Sequence, residues 1–155
     1  MKRIVIGCDE AAFEFKEAIK QYLKGKDVEV IDFGVHNTDP SLYPSTAISA
    51  AEYVRDGKAD QGILMCGTGI GMAISANKVP GIRATVAHDA LSMERSILSN
   101  DCQFICFGSR IISPIYAEYL LDQWLTLKFD NENSAKKIAC ITEYEEREAN
   151  ECKES

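Results

Sequence analysis

Five short runs rich in Ile and Val, each followed by a stretch of helical period, constrain this chain more than any other feature. A strand buried on both faces reads as a near-continuous apolar run, and a helix laid over it shows apolar residues three and four apart. Alternation of the two is the mark of βα units around a parallel sheet. The runs are residues 3–7, 28–33, 62–65, 82–86 and 104–107. After the first, Ala12, Phe15, Ile19, Tyr22 and Leu23 fall on one helical face, with Asp9 placed to cap it. Ala47, Ile48, Ala51 and Val54 give a second helix ended by Gly57, and a third runs from the glycines after Cys66 to about Asn77. Asp89 caps a fourth helix, and Ser113-Pro114 opens a fifth carrying Ile115, Leu120, Leu121, Trp124 and Leu125. Trp124 and its Leu neighbours read as core or subunit contact. A last helix from Ser134, with Ile138 and Ile141, is expected to dissolve into a charged tail at residues 143–155. Residues 34–44 read as a long loop, and loops of that length in a compact domain carry function or move. The expectation is an α/β fold on a parallel sheet of about five strands, forming one domain over residues 1–155.

Charge and cysteine usage narrow the partners. With 24 acidic and 17 basic residues the net charge is -7, the wrong sign for counterion-release binding to nucleic acid or to an anionic membrane. No apolar run reaches the length of a membrane span, and the apolar start meets Asp9 and Glu10 too soon for a signal-peptide core, so a cytoplasmic protein is expected. The six cysteines form no CxxC pair and only two histidines accompany them, so no metal site is expected. Most of the thiols read as small buried hydrophobes.

The sharpest chemical signal is Cys66-Gly67-Thr68-Gly69-Ile70-Gly71, where a buried strand feeds a helix. Ligands of open α/β sheets bind beyond the carboxyl ends of the strands. Glycines there expose backbone N–H groups, and the helix start adds partial positive charge, which suits an oxyanion or a phosphate. The same field lowers the pKa of a thiol at the turn, so Cys66 reads as a base or nucleophile; the alternative is a packed thiol on a tight turn. A dinucleotide fingerprint does not fit, because the loop follows the third strand, and a Walker loop lacks its Gly-Lys-Ser/Thr. A flavodoxin-like module fits no better, lacking a phosphate-binding Ser/Thr loop after the first strand. Asp9 reads as a ligand for a sugar hydroxyl or as a helix cap, with Glu10 beside it.

Gly7-Cys8-Asp9, Val30-Ile-Asp-Phe-Gly34, Tyr43-Pro44, the run from Cys66 to Gly71, Ala76-Asn77-Lys78-Val-Pro-Gly-Ile-Arg83-Ala84, Ser99-Asn100-Asp101 and Phe107-Gly-Ser-Arg110 stand in order along the chain. Together they resemble the ribose-5-phosphate isomerase B / galactose-6-phosphate isomerase family, from Lys2 to about Ile141. The resemblance implies a Rossmann-like three-layer sandwich working as a homodimer or homotetramer with sites at subunit interfaces. It also implies cofactor-free interconversion of an aldose phosphate and a ketose phosphate, nominally ribose 5-phosphate and ribulose 5-phosphate. Carried over residue by residue, Cys66 moves the proton between C1 and C2. The N–H groups of Gly67, Thr68, Gly69, Ile70 and Gly71 with the Thr68 hydroxyl hold the enediolate, Asp9 and Asn100 touch the sugar, and Arg110 lies near the phosphate.

Departures from the family pattern bear on substrate. The usual His after Asp9 is Glu10 here, the usual ring-opening His before Asn100 is Ser99, and two phosphate-gripping arginines read Asn133 and Lys137. His88 reads as a replacement proton carrier or phosphate ligand, or as a surface residue beside a cap. Lys136 and Lys137 read as phosphate ligands or a solvated helix face, and Tyr43 as pocket lining or packing. His88-Asp89, Ser92, Glu94-Arg95 and Leu98-Ser99-Asn100 look like the branch of the family that isomerises erythrulose 4-phosphate and erythrose 4-phosphate. A silent sugar-phosphate-binding partner subunit is the reading from another class.

Overall fold

The computed structural model describes residues 1–154; Ser155, the end of the expected tail, lies outside them. The Ile- and Val-rich runs form strands β1 (Lys2–Cys8), β2 (Val28–Asp32), β3 (Gln61–Cys66), β4 (Ala84–Val86) and β5 (Phe104–Gly108). They pair in parallel throughout, in the order β2-β1-β3-β5-β4. The helices are α1 (Phe13–Leu23), α2 (Tyr43–Arg55), α3 (Ile70–Ala76), α4 (Ala90–Leu98), α5 (Pro114–Trp124) and α6 (Glu132–Glu154). Successive side chains of a strand point to opposite faces, and the core divides accordingly. Ile4, Ile6 and Cys8 of β1 pack with Phe15 and Ile19 of α1, Met93 and Ile97 of α4 and Leu120, Leu121 and Trp124 of α5. Val5, one residue out of step, packs on the other face among Ala47 and Ala51 of α2 and Met72 of α3. The result is the expected three-layer sandwich, and Trp124 is core, fully buried.

Asp9, Asp89 and Ser113 cap helical segments as expected, each accepting from an N–H three residues on. Two boundaries are corrected. The long loop ends earlier, because α2 starts at Tyr43 with Pro44 in its first turn, where a missing N–H costs nothing. The last helix does not dissolve at residue 143: α6 runs unbroken to Glu154, and the charged tail is the solvated helix end its composition suggests. Its Glu, Lys, Arg and Ala residues are strong helix formers, so a solvated helix persists after the apolar stripe stops.

The chain passes from β1 to β2 on one side and returns to place β3 on the other, opening a crevice beyond the carboxyl ends of β1 and β3. Local bonds fix its walls. Cys8 N–H donates to Gly34 O at 2.7 Å, and Asp9 N–H to Met65 O at 3.2 Å. Fully buried Lys16 donates to both carboxylate oxygens of Asp32 at 2.9 and 3.0 Å and to Val35 O at 2.7 Å, anchoring the start of the loop after β2. Burial alone would raise the Asp32 pKa, but hydrogen bonds from Lys20 and Lys16 outweigh it and hold the carboxyl below its ordinary range.

Candidate active site

Cys66 ends β3 with its side chain on the α2/α3 face of the sheet, almost wholly buried. Its Sγ accepts the Gly69 N–H at 3.1 Å. Gly69 makes this possible with φ +78°, a left-handed conformation that turns the chain from strand into α3. Thr68 Oγ1 accepts the Ile70 N–H at 3.3 Å, leaving its own O–H to donate elsewhere. Of the backbone N–H groups expected to face an oxyanion, those of Gly69 and Ile70 are thus engaged inside the loop.

Burial pushes Cys8 up to about 12 and Cys102 up to about 11, and it raises Cys106 as well. Among the described residues no three His, Cys, Asp or Glu side chains gather as metal ligands, and no helix is long and apolar enough to cross a membrane.

Several expected residues gather around Cys66. Asp9 follows β1 across the crevice, where burial and then the charge of Glu10 raise its pKa against the pull of the Ala12 N–H and Arg110. The Tyr43 ring covers Gly71, so closely that a Cβ there would lie 2.6 Å from ring carbons. The Arg110 guanidinium lies over Gly67, 3.3 Å from the position of a Cβ. Glu10 is spent differently: its carboxylate accepts from Ser41 N–H at 3.2 Å and from Ser41 O–H at 2.6 Å, tying down the loop before α2. Ser41 lies 31 positions away in a polar loop, where no spacing in the sequence signals the contact. His88 also stands at this edge, but its Nε2 accepts the Gly108 N–H at 2.8 Å.

The remaining expected residues lie elsewhere. Ser99 and Asn100 precede β5, while Arg110 and Gly108 follow or end it, so the length of that strand, about 13 Å, separates them from Cys66 in the same chain. Arg83 binds the carbonyls of Asn100 and Asp101 at 2.8 and 2.7 Å, and Arg95 Nη1 donates to Ser99 Oγ at 3.3 Å. Asn77, Arg83, Arg95, Asn100 and Ile141 line a cleft of about 420 Å³ there. Asn133, Lys136 and Lys137 are exposed on α6, the helix whose Glu145 accepts the Gly81 N–H at 2.8 Å at this same far edge. Counting which residues follow a strand and which precede one would have separated the two groups.

The ribose/galactose isomerase family model matches residues 4–141. D-erythrulose-4-phosphate isomerase 2 of Mycolicibacterium smegmatis is 47% identical over 147 residues, covering 92% of this chain and 97% of that protein. Ribose-5-P isomerase B of Listeria innocua is 43% identical over 145 residues, covering 94% of this chain and 98% of that protein. Ribose-5-phosphate isomerase B of Clostridium thermocellum has the same fold, with a TM-score of 0.91 at 37% identity over 94% of this chain and 98% of that one. The strand-to-helix turn at Cys66 therefore belongs to a matched fold and a matched sequence together, and the chain is a member of the ribose/galactose isomerase family, a sugar-phosphate isomerase of the ribose-5-phosphate isomerase B kind.

Proposed function

We propose that this chain interconverts erythrulose 4-phosphate and erythrose 4-phosphate through an enediolate, without a cofactor, with Cys66 moving the proton. The observation that carries the chemistry is the Cys66 sulfur at the crevice, held by the Gly69 N–H at 3.1 Å where β3 turns into α3. Cys66 takes the proton from C1 of the ketose and returns it to C2. The Thr68 hydroxyl and the N–H groups of Gly67, Thr68 and Gly71 stabilise the negative charge that develops on the two sugar oxygens. Asp9 binds a sugar hydroxyl and Arg110 the phosphate.

The choice of a four-carbon sugar rests on the histidines. In ribose 5-phosphate the free C4 hydroxyl closes a furanose, which must open before a base can act. In a tetrose 4-phosphate that oxygen is esterified and no such ring forms. The chain has two histidines. His88 has its Nε2 engaged by Gly108, and His36 stands 4.0 Å from Asp32, so Ser99 has no evident substitute as ring opener. The 47% identity to an erythrulose-4-phosphate isomerase points the same way. Ribose 5-phosphate is the second reading, supported by the ribose-5-P isomerase B relative at 43% identity.

The site is completed by a second copy of the chain. Ser99, Asn100, Asn133 and Lys137 do not reach Cys66 within one protomer, while Leu42, Ile70 and Ile74 leave an apolar rim 79%, 55% and 57% exposed around the Cys66 loop. A homodimer that covers this rim brings the far edge of one chain to the crevice of the other. Rates of the purified protein with erythrulose 4-phosphate and ribose 5-phosphate, with Cys66→Ala as blank, test the reading. A kcat/KM at least about tenfold higher for the tetrose supports it. Preference for ribose 5-phosphate overturns the substrate, and no rate on either favours a silent binding subunit.

A further inference from the structure

The contact between His88 and Gly108 sits beneath the Cys66 loop. Gly108 ends β5 so close to the loop that a Cβ there would lie 2.6 Å from Thr68 Cα and 2.7 Å from its carbonyl carbon. The next two residues continue the support, Ser109 N–H donating to Cys66 O at 2.9 Å and Arg110 N–H to Gly67 O at 3.1 Å. Three successive N–H groups are thereby fixed, the first by an imidazole and the other two by the loop. A hydrogen bond accepted at Nε2 uses that nitrogen's lone pair, so the ring is neutral and carries its proton on Nδ1.

We propose that His88 is a positioning residue for the isomerisation: while its Nε2 is unprotonated it holds Gly108 and so the bed under Cys66, Gly67 and Thr68, and protonation in acid releases that bed and slows turnover. The proposal rests on the reading of Cys66 and Thr68 given above. The charge acting on the ring is that of Asp89, next in the chain, which favours protonation; Phe107, packed 6.3 Å away between ring centres, brings none. Burial outweighs Asp89 and holds the imidazole below its ordinary value of 6.5, so the contact is intact at neutral pH and fails on the acid side. A ring committed in this way is not the free proton carrier that the sequence suggests.

Two variants and two readouts test it. His88→Gln keeps an acceptor of similar reach that does not titrate, and His88→Ala removes the acceptor. The Gly108 amide resonance is followed by NMR from pH 8 to pH 5, alongside kcat and KM. In the unaltered chain the resonance should shift along one titration curve below pH 6.5, and kcat should fall along the same curve at constant KM. In His88→Gln the Gly108 resonance should stay flat and kcat should no longer fall along the imidazole's curve, with kcat at neutral pH within about threefold, whereas His88→Ala should lose about tenfold or more in kcat while remaining folded. An unchanged acid limb in His88→Gln, a Gly108 resonance indifferent to pH in the unaltered chain, or full kcat in His88→Ala would overturn the proposal. Should the unaltered chain turn over neither sugar phosphate, the isomerase mechanism fails separately, and the Gly108 titration alone decides whether His88 holds that strand end.

Discussion

Two glycines with nearly the same dihedral offer a controlled test of how tightly the site loop is built. Gly57 has φ +72° with no heavy atom within 4 Å of a built Cβ, whereas Gly69 has φ +78° with the Phe107 and Cys106 carbonyl carbons at 3.0 and 3.2 Å. Both must strain when replaced by alanine, at about 1–2 kcal/mol for an L-residue in the left-handed region. Only Gly69→Ala also overpacks, against strand backbone that has no rotamer to change, for about 1–3 kcal/mol more. At about 3 °C per kcal/mol for a chain of this size, Gly57→Ala should melt about 5 °C below the unaltered protein and Gly69→Ala about 10 °C below. Thermal unfolding followed by circular dichroism measures both. Activity should separate them further, because Gly69 donates to Cys66 Sγ and its displacement moves the sulfur; kcat is expected to fall about 30-fold or more in Gly69→Ala and to hold in Gly57→Ala. Equal losses of melting temperature would refute the argument from close approach, and full kcat in Gly69→Ala would show the contact with Cys66 to be idle.

Asp32→Asn takes from the buried Lys16 ammonium the nearer of its two carboxylates, leaving Glu17 at 3.3 Å, and urea unfolding should show a loss of about 2–3 kcal/mol, short of the about 3–5 kcal/mol of a buried charge left with no partner. Because Asp32 is held below its unfolded pKa of about 3.9, its contribution is present above that pH and fades as the pH drops through the native value, so the variant should lose less stability than the unaltered chain below about pH 4. In a background with exposed Cys140 and Cys152 changed to Ser, iodoacetamide at pH 7.5 should modify Cys66 before Cys8, Cys102 or Cys106; faster modification of Cys102 would contradict the assignment of the thiol chemistry to Cys66. Mixing inactive Cys66→Ala with inactive Asn100→Ala chains after reversible dissociation should restore about a quarter of full activity, since half the dimers would be hybrids with one intact site; no recovery would argue that each chain carries a whole site.

The sheet and the helices over it were legible because burial on two faces writes strands as apolar runs, and caps such as Asp89 and Ser113 act over three residues of chain. The strand-to-helix turn at Cys66 and its glycines was legible for the same local reason. What escaped the sequence is long-range or electronic. The Glu10–Ser41 contact joins two polar residues with no periodic relation, so nothing in the sequence shows that Glu10 clasps the loop. The tautomer of His88 is set by one N–H on another strand. The helical persistence of α6 to Glu154 rests on propensity, which an apolar-periodicity reading does not register. The separation of Asn100 from Cys66 is the exception: parallel topology alone implies it, since one residue precedes β5 and the other ends β3.

Proton transfer by Cys66 is tested most directly by isomerisation in deuterium oxide, with hydrogen at C1 and C2 of the recovered sugar phosphates followed by NMR. An enediolate formed by a sulfur base exposed to exchange predicts solvent deuterium at the transferred position in the unaltered chain, and loss of both exchange and turnover by about a thousandfold or more in folded Cys66→Ala. Turnover or exchange in folded Cys66→Ala at the unaltered rate would contradict it.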